Sequence, residues 1–208
     1  MTQLSELTIQ GFNEELAKKT PTPGGGSVAA LNASLAASLF AMVAALTTGK
    51  KKYQDVEEEM QEIGKKNNRW KDEFVQAINE DASSFDGVVE AFAMPKETEE
   101  EKKARSAKIQ EGYRAAISVP MSLALKTLEV YPSAVTLAQK GNASALSDVS
   151  VGAMNLRVAF FSALENVKIN LKSVKDEAYV KEMEEKMAKA IKEVEEKDKE
   201  IQLALQSR

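Results

Sequence analysis

Apolar residues recur every three or four positions along most of this chain, and no run alternates strictly between apolar and polar residues. The first pattern is typical of amphipathic α-helices, whereas strict alternation marks half-buried β-strands. The longest apolar series extends from Val56 to Met94, which predicts a helical stripe about 40 residues long, kinked at Gly64 and ended by Pro95. The pattern therefore predicts an all-α fold.

Glycine and proline residues divide the rest of the chain into further helices. The first two are predicted over residues 4–18 and 28–46. A fourth helix, after the long one, is predicted to end near residue 128, with a bend at Pro120 and an interruption at Tyr131 and Pro132. Two more are predicted over residues 142–174 and 177–205. These elements form an up-and-down bundle of about six helices, in one domain that covers residues 1–208.

Residues 28–46 contain no charged side chain and are long enough to cross a membrane. However, this segment is rich in alanine and serine, includes Asn32, and has no counterpart elsewhere in the chain. Small side chains let neighbouring helices approach closely, so a central helix of the bundle explains the segment better than a membrane span.

The chain of 208 residues has no histidine, no cysteine and a formal net charge of −4. These absences exclude disulfides, thiolate nucleophiles, histidine-based triads and nearly all catalytic zinc sites. Proton transfer must therefore use Asp, Glu, Lys, Tyr or water, and the net charge gives no field that favours nucleic acid. Residues 1–16 lack the features of a secretion signal, so we expect a cytoplasmic protein.

A glycine turn, Gly24-Gly25-Gly26-Ser27, precedes the uncharged helix. Its spacing formally fits a dinucleotide-binding fingerprint, but the preceding Thr-Pro-Thr-Pro cannot be the β-strand which that motif requires. Backbone N–H groups at a helix start, with Ser27 as the predicted cap, suit an anion or a carbonyl-rich heterocycle. A turn that merely directs the chain into the bundle explains the same residues.

Asp81 is the most informative single residue, because it lies on the apolar stripe between Ile78 and Phe85. A carboxylate at such a position must be paired, hydrogen-bonded or protonated. Burial raises the pKa of a carboxyl group, which suits a general acid or base. A structural partner for a buried polar group is the equally good alternative.

Other polar residues allow both structural and functional interpretations. Three successive positive charges can either stabilise the C-terminus of a helix or bind a polyanionic ligand, and such a run is formed by Lys50, Lys51 and Lys52. Asn142 and Asp148 fit the start of a helix through capping and dipole preference. The amides of Asn166 and Asn170 lie one helical turn apart on a face of small residues, where they suit a ligand or an adjoining helix.

Taken in order, these segments resemble the formiminotetrahydrofolate cyclodeaminase and methenyltetrahydrofolate cyclohydrolase family. The resemblance covers almost the whole chain from Pro21 to Leu171, and its co-linear order is more specific than any one motif. It rests on the segments Pro21-Thr22-Pro23-Gly24-Gly25-Gly26-Ser27-Val28-Ala29-Ala30, Gly49-Lys50-Lys51-Lys52-Tyr53, Asp81-Ala82 with Phe85, Met94-Pro95-Lys96, Val119-Pro120, Gly141-Asn142 with Ser147-Asp148, and Asn166-Val167-Lys168-Ile169-Asn170-Leu171.

The resemblance implies a helical homodimer that binds a tetrahydrofolate derivative as substrate in clefts between helices, with no permanently bound cofactor and no metal. The cyclodeaminase branch closes 5-formiminotetrahydrofolate to 5,10-methenyltetrahydrofolate and releases ammonia. The cyclohydrolase branch interconverts the methenyl form and 10-formyltetrahydrofolate with water. The resemblance also implies that any formimino transfer to the folate is carried out by a separate formiminotransferase.

Matching motif positions to this chemistry gives a predicted site. Asp81 is the candidate acid and base, with Asp148 as the second candidate. The predicted substrate-binding residues are Gly24, Gly25, Gly26, Ser27, Lys50, Lys51, Lys52, Lys96, Asn142, Ser147, Asn166 and Asn170. Within this set, the lysines are expected to hold the folate glutamate carboxylates, and the glycine turn the pterin or the reacting group.

Three functions remain open at this stage. The cyclodeaminase is the leading hypothesis and the cyclohydrolase the second, since no residue separates ammonia from water as the leaving or attacking group. The third is a non-enzymatic helical scaffold whose last helix pairs with a partner protein. The scaffold leaves the glycine turn and the inward Asp81 without a purpose.

Overall fold

The computed structural model describes residues 3–208, which form seven α-helices and three short 3-10 turns. Within these residues there is no β-strand, so the predicted all-α class is confirmed. The helices are α1 (Ile9–Leu16), α2 (Gly25–Thr47), α3 (Glu57–Ser84), α4 (Asp86–Ala93), α5 (Glu99–Lys140), α6 (Leu146–Leu171) and α7 (Glu177–Gln206); the 3-10 turns are Leu4–Glu6, Lys51–Val56 and Ala143–Ala145.

The uncharged helix α2 lies at the centre of the bundle, with α3 and α6 as its closest neighbours. Its alanine-rich faces allow these helices to approach closely. Phe40 of α2 packs on Gly152 of α6, where a Cβ atom on residue 152 would overlap the phenylalanine ring. By length and composition, α2 is the one helix in the described chain that could cross a membrane. Half of the residues in its most apolar 18-residue stretch are buried within the fold. The other residues of this apolar stretch are therefore not covered by the bundle.

The predicted long helix is divided at Phe85, into α3 and α4, and not at Gly64. Gly64 stays helical, with only Ala44 near its Cβ position. At the end of α3, the hydroxyls of Ser83 and Ser84 donate hydrogen bonds to backbone carbonyls of their own helix. Serine side chains that compete for carbonyls in this way favour a bend, which explains why the break lies here.

The predicted break at Tyr131 and Pro132 is wrong, because α5 is one helix of 42 residues that continues through Pro120 and Pro132. It begins at a capping box in which Thr98 and Glu101 exchange hydrogen bonds. A proline inside a helix costs about 3 kcal/mol or more. Packing against α6, α7 and α4 along the length of α5 outweighs this local preference.

The bundle has two ends that matter for function. At the first, the start of α2 meets the ends of α3 and α6 and the middle of α5; we call this the glycine end. At the second, the end of α2 meets the starts of α3 and α6 and the end of α5; we call this the lysine end. Because α2 has 23 residues, the two ends lie about 35 Å apart along its axis.

Candidate functional site

A cavity of about 290 Å³ opens at the glycine end. Four helices contribute to it, so residues from widely separated parts of the chain meet there. Its lining residues are Pro21, Thr22, Gly24, Gly25, Gly26, Asp81, Ser84, Phe85, Ala116, Pro120, Asn166, Ile169 and Asn170. Six of these, namely Gly24, Gly25, Gly26, Asp81, Asn166 and Asn170, are residues that the sequence predicted for the site.

Gly26 lies directly against the carboxylate of Asp81. A Cβ atom at position 26 would overlap both carboxylate oxygens. The neighbouring Gly25 has Asn166 Nδ2 at 3.2 Å from its Cβ position. Glycine is therefore required at position 26 because α2 and α3 cross closely here, and this contact places the Asp81 carboxylate beside the first turn of α2.

Ser27 also contacts Asp81, but in a different role from the predicted one. The helix cap is Gly24, whose backbone is extended, while Ser27 lies inside the first turn of α2. The Ser27 hydroxyl lies 3.0 Å from Asp81 Oδ2 and 3.1 Å from the Ile78 carbonyl oxygen, and it can donate its single proton to either. Ser27 is thus a buried partner of the carboxylate and not a helix cap.

Two opposing effects determine the ionisation of Asp81. Partial burial raises the pKa of its carboxyl group above the ordinary value, and this is the larger effect. Hydrogen bonds from the Ser27 hydroxyl and from the Ser27 backbone lower the pKa and limit the rise. The result is a carboxyl group with a raised pKa that still faces open space, as proton transfer requires.

The two predicted amides lie across the cavity on α6, and each donates to a backbone carbonyl. Asn166 Nδ2 donates to Ser162 O at 2.8 Å, and Asn170 Nδ2 donates to Ala116 O at 3.1 Å. A carbonyl can only accept, so in both residues the NH₂ group is the one used in these bonds. Each Oδ1 then remains available to accept a hydrogen bond from a ligand.

Asp81 and Pro120 also line a second cavity, of about 270 Å³. The remaining lining residues include Glu80, Ser118, Ser122 and Lys126. Asp81 therefore lines two cavities. In the described part of the chain, no group of three or more acidic side chains is arranged to hold a metal ion.

The other predicted residues lie elsewhere. Lys50, Lys51, Lys52, Asn142, Ser147 and Asp148 are at the lysine end, so one chain does not bring them to the cavity. Lys96 lies exposed in the connection between α4 and α5 and is not among the lining residues.

Asn142 joins the elements of the lysine end through hydrogen bonds. Its Nδ2 donates to Leu46 O at 2.9 Å, its backbone N–H donates to Thr47 Oγ1 at 2.9 Å, and its Oδ1 accepts from Ser144 N. Tyr53, which sequence reasoning did not select, accepts from the Ala143 N–H at 2.9 Å. That bond is the main cause of a lowered Tyr53 pKa, and Lys52 also lowers it.

Comparison with known proteins gives matches over most of the chain. The formiminotransferase-cyclodeaminase family model matches residues 8–189. A methenyltetrahydrofolate cyclohydrolase from Methylorubrum extorquens is 39% identical over 175 residues, which cover 84% of each chain. A formimidoyltransferase-cyclodeaminase from Mus musculus is 33% identical over 91% of this chain, but only 35% of the mouse protein is covered.

A solved structure agrees with the fold. The crystal structure of formiminotetrahydrofolate cyclodeaminase from Thermotoga maritima has a TM-score of 0.88, with 28% identity over 99% of this chain and 98% of that one. The chain therefore belongs to the formiminotransferase-cyclodeaminase family, a family of folate one-carbon enzymes.

Proposed function

We propose that this protein is a formiminotetrahydrofolate cyclodeaminase in which Asp81 transfers the protons. The observation that carries the proposal is the position of the Asp81 carboxylate, which lies against Gly26 in the lining of a cavity and has a raised pKa. The family relationship supplies the substrate class, and the absence of histidine and cysteine from the chain leaves a carboxyl group as the natural proton carrier.

The proposed reaction uses one carboxyl group twice. In the protonated formimino group, N5–CH=NH₂⁺, N10 of the folate attacks the carbon; the C–N10 bond forms as the C=N π bond breaks, and the resulting tetrahedral carbon carries N5, N10 and an amino group. Asp81, ionised at first, accepts the N10 proton and then donates it to the amino nitrogen. The C–N bond to that nitrogen breaks, ammonia leaves, and the 5,10-methenyl product remains. The Oδ1 atoms of Asn166 and Asn170 would orient N–H groups of the substrate.

A direct assay tests this proposal. Purified protein is mixed with 5-formiminotetrahydrofolate, and the absorbance of the methenyl chromophore is followed together with ammonia release. We expect both products to appear in equal amounts. A protein that binds this substrate without forming either product would contradict the proposed reaction.

Methenyltetrahydrofolate cyclohydrolase is the second candidate function. It is favoured by the 39% identical cyclohydrolase, because the match covers 84% of both chains. The two reactions pass through the same kind of tetrahedral carbon, which carries an amino group in one case and a hydroxyl in the other, so Asp81 has the same role in both. Loss of the chromophore from added 5,10-methenyltetrahydrofolate, faster than in buffer alone, would favour this function.

Changing Ser27 to alanine tests the ionisation of Asp81. The carboxylate must be charged to accept a proton, so kcat/KM should fall as the pH drops through the Asp81 pKa. The Ser27 hydroxyl stabilises the charged form, so its removal raises that pKa further and should move the acid limb of the pH profile to higher pH. Ser34→Ala is the matched control, since this buried hydroxyl on α2 bonds only to the Leu31 carbonyl. An unmoved limb in Ser27→Ala would contradict the role of Asp81.

We also propose that the protein acts as a homodimer that pairs α2 with its copy. The apolar half of α2 that α3 and α6 leave uncovered carries Leu31, Leu35, Leu39, Met42 and Leu46, of which Leu35 is 48% and Leu46 42% exposed. A long uncharged stripe of this kind is typical of protein interfaces. Two-fold symmetric packing about the middle of α2 would run the two helices antiparallel.

Such a dimer would bring the lysine end of one chain close to the glycine end of its partner. Antiparallel pairing about the middle of α2 sets Gly24 of one copy opposite Thr48 of the other, and Thr22 opposite Lys50. The lysines of one chain would then approach the cavity of its partner, where they would attract the glutamate carboxylates of the folate. In this proposal the protein is cytoplasmic, holds no permanent cofactor, and receives its substrate from a separate formiminotransferase.

Changing Leu35 to glutamate tests the homodimer. A charge in the middle of the α2 stripe should turn the dimer into a monomer, because a carboxylate cannot be buried in an apolar interface without a partner. Turnover should fall together with the dimer. Leu203→Glu, at a 68% exposed leucine on α7, should change neither property. Sedimentation velocity measures the assembly; a Leu35→Glu protein that remains dimeric and active would contradict the proposed interface.

A further inference from the structure

Pro120 changes the hydrogen bonding of the cavity wall. It lies buried inside α5, where its ring nitrogen has no proton to donate. In a regular helix, the N–H of residue 120 would bond to the carbonyl four residues earlier, which is that of Ala116. Ala116 O therefore has no partner from α5 at this position.

Asn170 on α6 takes the place of the missing donor. Its Nδ2 donates to Ala116 O at 3.1 Å, and Ala116, Pro120 and Asn170 all line the cavity that contains Asp81. This bond holds the Asn170 amide in one orientation, with the NH₂ group on the wall of the cavity. Its Oδ1 is then left to accept a hydrogen bond from a ligand.

We propose that Pro120 is a positioning residue, which keeps Ala116 O open so that Asn170 is fixed with its Oδ1 available to an N–H group of the substrate. This inference rests on the proposed function. It explains why a residue that weakens the helix lies at the cavity, where a residue with an N–H would compete with the Asn170 amide for Ala116 O. A freely rotating amide loses affinity and alignment, because the substrate must then order it.

The second proline of α5 provides a matched control. Pro132 also lies inside the helix and frees the carbonyl of Leu128, but it is exposed and lines none of the cavities near Asp81. Within residues 3–208, no side-chain hydrogen bond to Leu128 O is formed. A restored N–H at position 132 therefore changes the helix without touching the site.

The variants Pro120→Val and Pro132→Val separate the two effects. Valine keeps three side-chain carbons and restores the N–H that proline lacks. We expect Pro120→Val to lower kcat/KM by about tenfold, the effect of one misplaced hydrogen bond, while Pro132→Val keeps the wild-type value. Asn170→Ala, which removes the same group from the other helix, should lose about as much as Pro120→Val. The double variant Pro120→Val with Asn170→Ala should lose no more than either single variant.

Two outcomes would overturn the role of Pro120: equal kcat/KM values for Pro120→Val and Pro132→Val, or losses that multiply in the double variant. A crystal structure of Pro120→Val gives a readout that does not depend on activity. Movement of Asn170 Nδ2 away from Ala116 O supports the proposal, and an unchanged bond overturns it. Should the wild-type protein turn over neither folate substrate, the proposed function fails, and the crystal structure still decides the role of Pro120.

Discussion

Replacing Asp81 with asparagine should lower kcat by about 10²- to 10⁴-fold, the usual contribution of general acid–base catalysis, and leave the fold intact. Asparagine has nearly the same shape and can still accept the hydrogen bond from Ser27, so the packing against Gly26 is kept. Its amide, however, can neither take the N10 proton nor deliver one to ammonia. Stopped-flow measurement of the methenyl chromophore under single-turnover conditions reports this step directly.

The same variant has an expected effect on stability whose sign follows from the raised Asp81 pKa. The folded protein holds the Asp81 proton more tightly than the unfolded chain, so wild-type stability falls as the pH rises from the ordinary aspartate value through the folded-state pKa. The asparagine side chain does not titrate, so Asp81→Asn should be at least as stable as wild type at neutral pH. Asp86→Asn, at an exposed site on α4, should match wild type in rate. Near-normal turnover in a folded Asp81→Asn protein would contradict the proposed mechanism.

Replacing Gly26 with alanine should be the most damaging small change at the site. The added methyl group would overlap both oxygens of the Asp81 carboxylate, so either the side chain or the α2–α3 crossing must move. Overpacking of this kind costs about 1–3 kcal/mol of unfolding free energy. A displaced carboxylate should also lower kcat/KM by about 10² or more, because misalignment of about 1 Å has effects of that size.

Gly87→Ala is the matched control for Gly26→Ala. Gly87 is also helical, but nothing lies within 4 Å of its Cβ position. Alanine is favoured over glycine in a helix by about 0.5–1 kcal/mol, so this variant should be as stable as wild type or more so. Thermal denaturation and steady-state kinetics measure both effects. A Gly26→Ala protein with unchanged stability and turnover would show that the close contact with Asp81 does not shape the site.

The sequence predicted which side chains face inward more reliably than it predicted where helices end. Asp81 follows Ile78 by three residues and precedes Phe85 by four, and this spacing alone placed it on the buried face of its helix. The same local rules failed at Pro132, where packing against other helices outweighs the tendency of proline to end a helix. They also failed at Ser27, whose hydroxyl contacts Asp81 on α3 and does not cap the N–H groups of α2.

Which helices meet at the site was the main limit of prediction. Helical spacing shows which residues share a face of one helix, but it does not show which helices meet. Asn170 and Ala116 are 54 positions apart, and only the packing of α6 on α5 joins them. The lysine end is different, because the length of α2 alone places it about 35 Å from the glycine end and so separates the lysines of one chain from its glycine turn.

A crystal structure with 5-formyltetrahydrofolate, a stable analogue of the proposed substrate, is the most direct test of whether Asp81 serves a folate in the glycine-framed cavity. We expect the one-carbon group within hydrogen-bonding distance of the Asp81 carboxylate, with N–H groups of the pterin on Asn166 or Asn170. A folate bound away from the glycine end, with Asp81 facing only solvent, would contradict the account.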